Sequence, residues 1–208
     1  MGRRGVVVGA VLAGLLLLVI LPVIGSYNRL VARSEAVDSQ WSQVENTYQR
    51  RADLIPNLVA TVQGAADFER ETLESITRAR ASVGQVQINA EDLPDDPEAF
   101  QRFQEAQDSL SNAIARLLVV VEQYPQLRAT EAFRDLQVQL EGTENRIAVE
   151  RRRYNEVAQE YNTVRQRFPT NIIAGMFGFD RKVYFEATPG AERPPQVDFD
   201  TNPAPAAS

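Results

Sequence analysis

The sequence of 208 residues contains no cysteine and no histidine, and Lys182 is its single lysine. Without cysteine or histidine the chain cannot form disulfides, a thiolate nucleophile, a Ser-His triad or a zinc site of Cys and His ligands. An enzyme would have to rely on carboxylates, Tyr, Ser, Thr or the one lysine. We therefore predict a protein that is not an enzyme and that carries no metal and no cofactor.

An excess of positive charge is also missing, because the formal net charge is −6. No basic field favours nucleic acid as a partner, and no glycine-rich loop suggests a small-molecule substrate. Charged residues make up 24% of the chain and apolar residues 44%. These fractions exclude a chain that is disordered throughout or wholly embedded in a membrane.

A long uncharged run stands near the N-terminus, from Val6 to Ile24. Its 19 residues match the ~20 that a helix needs to cross the hydrocarbon core of a bilayer. A cleaved signal peptide would have a shorter apolar region and a small-residue cleavage site, and no Ala-x-Ala follows this run. We predict one transmembrane helix, with a short stub before it, over residues 1–25, and a location in the cell membrane.

The charges that flank this run favour one orientation only slightly. Arg3 and Arg4 precede it, which favours a cytoplasmic N-terminus and a main domain outside the cytoplasm. Arg29 and Arg33 follow it closely on the other side and reduce the bias.

Positions spaced alternately by three and four are mostly apolar along three stretches, with polar residues at the remaining positions, which is the seam pattern of packed helices. The first stretch comprises Leu30, Val37, Trp41, Val44, Tyr48, Ile55, Leu58, Val62, Ala65, Ile76, Ala79 and Val83. The second comprises Phe100, Phe103, Leu110, Ile114, Leu117, Val121 and Tyr124. The third comprises Phe133, Leu136, Leu140, Ile147, Tyr154, Val157, Tyr161, Val164 and Phe168. The expected fold is all-α, an antiparallel up-and-down bundle of long helices over residues 26–186.

Turn signals give the expected limits of the helices. Asp96 should cap the second long helix and Pro97 should occupy its first turn. The third long helix should run from Gln126 to Phe168. The acidic connector Gly84–Pro97 is predicted to be an exposed loop. Because the first helix starts almost at the membrane, the bundle is expected to stand off the bilayer on a helical stalk.

Pro56 lies inside the first stretch, although proline inside a helix costs roughly 3 kcal/mol. The seam positions continue through it, from Arg51 to Ile55 and Leu58. This continuity favours a kinked helix whose two halves face one core. The alternative is a break at Asp53–Pro56, which would give four bundle helices.

Several ordered motifs resemble the LemA family over about Tyr27 to Glu186. In the first half they are Tyr27-Asn28-Arg29-Leu30-Val31, Trp41-Ser42-Gln43-Val44 and Gln49-Arg50-Arg51-Ala52-Asp53-Leu54-Ile55-Pro56-Asn57-Leu58-Val59. In the second half they are Tyr124-Pro125-Gln126-Leu127, Leu140-Glu141-Gly142-Thr143-Glu144-Asn145-Arg146-Ile147, Arg152-Arg153-Tyr154-Asn155 and Phe168-Pro169-Thr170-Asn171-Ile172-Ile173-Ala174.

The resemblance implies a bacterial-type protein with one N-terminal membrane helix and a four-helix up-and-down bundle. It implies no reaction. Family members are linked with membrane quality control, sometimes beside a membrane metalloprotease, and some act in organising membrane compartments. The family resemblance also implies an N-terminus outside the cell, opposite to the flanking charges, so the side of the main domain is left open.

Polar residues interrupt the seams at Arg51, Glu69, Gln107 and Glu150. One interpretation is that Arg51 and Glu150 neutralise each other, if the helices place them at one level, because a buried unpaired charge is costly. The alternative is that each lies at the edge of a seam and reaches water along its stem. Trp41 is expected in the core, as is Tyr48.

Two clusters of charged residues are candidate catalytic or binding sites. Glu141, Glu144 and Asn145 should share one helix face, where paired carboxylates can perform acid–base chemistry. The run Arg151–Arg153 could bind phosphate or lipid headgroups. Flanking glutamates favour ordinary ion pairing along the helix instead.

The apolar segment Asn171–Phe179 follows a helix stop. It is predicted either to cap the end of the bundle or to dock on the membrane surface, another protomer or a partner. The candidate interaction residues are Ile172, Ile173, Met176, Phe177 and Phe179. Residues 187–208 are rich in Pro and Ala and are expected to be a disordered tail.

These observations predict a membrane-anchored scaffold or adaptor that binds proteins in maintenance of the cell envelope, as a homo-oligomer or with an envelope protein. The alternative is a regulator or adaptor of a membrane metalloprotease. A third hypothesis, from a different class, is a hydrolase that uses Glu141 and Glu144.

Overall fold

The computed structural model describes residues 2–64, 69–87 and 93–186. The helices in these ranges are α1 (Arg3–Gln63), α2 (Arg70–Gln87), α3 (Pro97–Val121), α4 (Pro125–Arg128), α5 (Glu131–Gln166) and α6 (Thr170–Phe177), and the same ranges contain no strand. The predicted all-α class is confirmed, with an N-terminal apolar helix that continues into a helical bundle. Ala65 and the predicted tail at 187–208 lie outside the described residues.

Four long helices, α1, α2, α3 and α5, run up and down around two layers of core. The proximal core, nearer the apolar run, contains Leu30, Val37, Trp41, Val44, Tyr48, Leu93, Phe100, Phe103, Ile147, Tyr154, Ala158, Tyr161, Ile173, Ala174 and Phe185. The distal core contains Leu54, Ile55, Leu58, Val62, Ile76, Ala79, Val83, Leu110, Ala113, Ile114, Leu117, Val121, Leu127, Phe133, Leu136 and Leu140. Ion pairs of Arg33 with Glu160 and of Arg51 with Glu144 show that α1 and α5 are antiparallel.

Helix α1 continues without a break through Pro22 and Pro56 and ends at Gln63. The alternative break at Asp53–Pro56 is therefore wrong. Arg51 and Ile55 on one side of Pro56 and Leu58 on the other are all buried, so both halves face one core as the seam predicted.

The carbonyl that Pro56 leaves without a helical donor finds a partner on a neighbouring helix. A helical N–H bonds the carbonyl four residues earlier, and Pro56 has no N–H, so the affected oxygen is that of Ala52. Arg80 of α2 donates its Nε–H to the Ala52 carbonyl at 3.2 Å. This bond offsets part of the cost of the proline and ties α1 to α2.

The first seam is divided between two helices. Ile76, Ala79 and Val83 lie on α2, which runs antiparallel to the end of α1 and faces the same distal core. Glu69 is exposed ahead of α2, where its carboxylate accepts from the Thr72 hydroxyl. The prediction that Glu69 interrupts a buried seam is therefore wrong.

Other helix limits also differ from the prediction. Helix α5 ends at Gln166 rather than Phe168, and Phe168 is 81% exposed instead of completing the third seam. Helix α5 begins at Glu131 rather than Gln126, because the Thr130 side chain caps it and Pro125–Arg128 forms a separate short helix. Within the connector Gly84–Pro97, helix α2 extends to Gln87 and Leu93 is buried, so this part is not an exposed loop. The predicted cap is present, since the Asp96 carboxylate accepts from two backbone N–H groups of the first turn of α3.

No free stalk separates the apolar run from the bundle. Val23, inside the run, already packs against the proximal core, and Leu30 is fully buried in it. The helix rises about 1.5 Å per residue, so the bundle begins within the last turn of the run rather than at a distance from it.

Replacing Arg80 by Met keeps the apolar stem and removes the donor to Ala52. We expect R80M to lower the free energy of unfolding by about 1 kcal/mol, the usual net contribution of one hydrogen bond. In a P56A background the new N–H of residue 56 can satisfy Ala52, so the same change should cost less. Urea denaturation followed by circular dichroism measures both costs.

The matched control is R78M, which removes an exposed arginine from the same helix and should change stability by less than about 0.5 kcal/mol. An equal cost of R80M in the wild-type and P56A backgrounds would show that the Arg80–Ala52 bond does not compensate for the proline.

Candidate interaction site at the proximal end

Helix α6 both caps the proximal core and presents an uncovered apolar face. Ile173 is buried, and Phe179 beyond the helix packs against the same core. Ile172, Met176 and Phe177, which we call the outer face of α6, are 51%, 72% and 54% exposed. The five predicted interaction residues thus divide between the two roles, and whether the outer face binds anything stays a prediction.

Aromatic contacts fix α6 against the first turn of α1 beyond the apolar run. The Tyr27 ring lies 5.0 Å from that of Phe177 and 5.7 Å from that of Phe179, both in edge-on geometry. Gly178 ends the helix with a φ of 73°, a conformation that glycine adopts without steric cost. That turn brings the Phe179 N–H to the Ala174 carbonyl at 3.0 Å.

The segment Phe179–Glu186, which we call the C-terminal strap, is extended and lies along α5. Asn162 donates to the Lys182 carbonyl at 2.8 Å and accepts from the Lys182 N–H at 3.0 Å. Asn155 makes the same pair of bonds with Phe185, at 3.0 and 2.9 Å. Each asparagine therefore binds the strap as a neighbouring β-strand would.

The spacing of the two asparagines matches the strap. Seven helical residues advance about 10.5 Å, and the three extended residues from Lys182 to Phe185 advance about 10 Å. Each asparagine follows a tyrosine, Tyr154 or Tyr161, whose hydroxyl also donates to the strap, to the carbonyls of Val183 and Asp180 respectively.

Both tyrosines remain protonated and able to donate. Burial raises the pKa of Tyr154 far above its ordinary value, and burial, with the nearby Asp95 carboxylate, raises the pKa of Tyr161 to about 12. The phenol hydrogens that hold the strap are therefore present throughout the neutral range.

Lys182 anchors the strap to the other side of the bundle. Its side chain is almost fully buried, and its Nζ lies 2.8 Å from an Asp95 carboxylate oxygen and 3.4 Å from one of Asp38. One ammonium thus joins the strap, the connector before α3 and helix α1. The nearby Phe185 ring enters an aromatic cluster around Trp41, which confirms the predicted core position of that tryptophan.

The buried arginine of the first seam has a different partner from the predicted one. Arg51 is 1% exposed and donates to Glu144 on α5 at 2.9 Å and to Ser111 on α3 at 2.6 Å. It also bonds Gln107, which is buried as a seam residue. The interpretation that Arg51 pairs with Glu150 is wrong, since Glu150 instead binds Gln40 and Arg153. The alternative that Arg51 reaches water at the edge of its seam is also wrong, because Arg51 is buried.

The charged side chains of the two clusters considered from the sequence are engaged with separate partners. Glu144 is engaged by Arg51, whereas Glu141 accepts from Gln137 on the surface. Arg151 contacts the Glu186 carbonyl of the strap, and Arg153 pairs with Glu150. Among the described residues no group of three or more Asp or Glu side chains is placed to hold a metal ion.

The strap was missed by sequence reasoning, although a signal for it exists. The dipeptide Tyr-Asn occurs at Tyr154-Asn155 and again at Tyr161-Asn162, two helical turns further on. Such a repeat places two amides on one face of a helix at the spacing of an extended chain.

The model of the LemA family matches residues 40–199. The chain belongs to the LemA family. It is 29% identical to magnetosome protein MamQ 2 of Paramagnetospirillum magneticum over 183 residues, which cover 81% of this chain and 67% of that protein. It is 28% identical to MamQ of Magnetospirillum gryphiswaldense, with coverage of 82% and 70%. Protein LemA of Metamycoplasma hominis is 25% identical, with coverage of 86% and 75%.

Replacing either strap-binding asparagine by alanine should release the strap locally. N162A should accelerate hydrogen exchange of the Lys182 amide, and N155A that of Phe185, by about tenfold, because losing about 1.4 kcal/mol of local stability has that effect. Exchange followed by NMR or mass spectrometry gives the rates.

The control for both is N145A, an exposed asparagine on the same helix, which should leave strap exchange unchanged. Unaltered protection of the amides of residues 182 and 185 in N162A and N155A would contradict the conclusion that the two asparagines hold the strap.

Proposed function

We propose that this LemA family member is a single-pass membrane-anchored scaffold that acts by binding proteins in the cell envelope. The observation that carries the proposal is the continuity of α1. One helix contains an uncovered run long and apolar enough to cross a membrane, and the same helix then supplies the core of the bundle.

The exposure of the run favours a membrane as its environment. Val7, Leu12, Leu16 and Leu21 are each more than half exposed, and no residue of the most apolar window is fully buried. Side chains of this kind are normally removed from water. A bilayer removes the whole run from water at once and needs no partner protein to do so.

The bundle itself favours binding over catalysis. The guanidinium group of Arg51, the buried charge of the first seam, is engaged in joining α1, α3 and α5. The carboxylates considered for acid–base chemistry have separate partners, Glu144 with Arg51 and Glu141 with Gln137. Relatives named as magnetosome proteins and as LemA also carry no reaction in their names.

The proposal predicts contacts between the bundle and other proteins in intact membranes. Val119 on α3 and Val138 on α5 are 63% and 68% exposed near the distal core, so a photoreactive residue fits at either position without disturbing packing. Discrete protein adducts should form at one or both. They should disappear in an L15R/L16R variant, because each charge in the middle of the span costs about 2.5–3.5 kcal/mol.

Mass spectrometry of the adducts distinguishes the candidates. Adducts with the same chain identify a homo-oligomeric scaffold, and adducts with an envelope protein identify its partner. Adducts confined to a membrane metalloprotease would favour the regulator or adaptor role instead. If both positions react only with water and lipid, the protein-binding role is contradicted.

A further inference from the structure

The position of α6 along α1 is set by the contacts of Tyr27. The run Val6–Ile24 is about 28 Å long at 1.5 Å per residue, which matches a hydrocarbon core of about 30 Å. If α1 crosses the bilayer, Ile24 lies at the edge of that core. Tyr27 then lies about 4.5 Å beyond it, and the Phe177 ring contacts Tyr27 at 5.0 Å.

The dimensions of α6 are comparable with the thickness of the headgroup region. A helix with its side chains is about 10 Å across, and the eight residues of α6 span about 12 Å. The headgroup region adds about 5–8 Å on each side of the hydrocarbon core. Because the Phe177 ring contacts Tyr27, the C-terminal end of α6 lies within this region if α1 crosses the bilayer.

The residues of α6 suit that place. The helix, Thr170–Phe177, contains no charged side chain, whereas the water-facing side of a bundle helix is normally polar. Ile172 and Met176 are one turn apart on the outer face, and Phe168 just before the helix is 81% exposed. These side chains are uncovered within the protein, although the inner face of the same helix is packed on the proximal core.

We propose that α6 is an interfacial helix, whose outer face lies against the acyl chains of the bilayer beside the point where α1 leaves it. This inference rests on the proposed membrane anchoring of α1. Two exposed arginines flank the site, Arg29 one turn beyond the run and Arg167 just before α6. Their guanidinium groups are placed to bind lipid phosphates while the apolar face enters the layer below.

Continuity with the membrane segment favours lipid over a second copy of the chain as the occupant. The outer face borders Tyr27, and the exposed side chains of Leu21 and Ile24 lie on the preceding turns of α1. The acyl chains of one bilayer can therefore cover both the apolar run and the outer face of α6. Aromatic rings such as those of Tyr27 and Phe177 are also frequent at this depth in membrane proteins.

Spin labels test the depth directly, and the absence of native cysteine makes each introduced cysteine unique. The full chain carries a nitroxide at residue 172 or 176, in vesicles of equal parts phosphatidylcholine and phosphatidylglycerol. Power-saturation EPR then compares accessibility to oxygen, which enters lipid, with accessibility to a water-soluble nickel complex. The controls carry the label at Leu16 in the run or at Val138 on the distal bundle.

We expect the oxygen-to-nickel ratio at residues 172 and 176 to be several-fold higher than at Val138 and to approach that at Leu16. A high ratio at Leu16 with a low ratio at both α6 positions would overturn the interfacial helix and leave the anchor intact. A low ratio at Leu16 would instead overturn the anchor. Labels at 172 and 176 that are shielded from both reagents would show that protein covers the outer face, which also contradicts the proposal.

Discussion

The structure depends on the continuity of one helix. Helix α1 carries the uncovered apolar run in its first third and the seam of the bundle in the remainder, and neither Pro22 nor Pro56 ends it. Because the helix is continuous, the level of every element packed on α1 relative to the run is set by rise per residue alone. The absence of a stalk and the place of α6 both follow from this constraint.

The bundle is built differently in its two halves. In the distal half α2 lies beside α1 and α3, and Arg80 satisfies the carbonyl that Pro56 leaves free. In the proximal half, Val86 is the one α2 side chain in the described ranges that packs on the core. The C-terminal strap covers the part of the proximal core that α2 leaves open. Asn155 and Asn162 hold the strap, so side-chain amides replace the backbone pairing that a sheet would supply.

Much of the fold was predictable from the sequence because seams determine which residues are buried. Trp41, Leu110 and Ile147, which belong to the first, second and third predicted seams, all lie in the core. The change of chain direction between α1 and α2, before Arg70, was not predictable from the spacing of the seam. Alternating spacings of three and four continue on both helices and do not indicate in which direction the second helix runs. The partner of Arg51 was also missed. Which residue of α5 lies at the level of Arg51 depends on the lengths of the turns between the helices, and seam spacing does not give those lengths.

The candidate site was predictable only in part. The uncharged composition of Asn171–Phe179 identified an unusual segment, but composition cannot separate inner residues such as Ile173 from outer ones such as Met176. That division arises from the packing of one face of α6 on the proximal core, which buries Ile173 and Ala174. The strap has no periodic pattern of its own, because the hydrogen bonds that hold it come mainly from α5.

The most direct test of the central claim is the length of α1 across the junction between run and bundle. Cysteine replacements at the exposed positions Ala13 and Asn46 allow two spin labels to be placed 33 residues apart, and pulsed EPR of the reconstituted chain measures their separation. A continuous helix predicts a narrow distribution centred at about 50 Å. A broad distribution centred well below that distance would show that the helix bends or breaks at the junction, and would contradict the rigid placement of the bundle on the membrane.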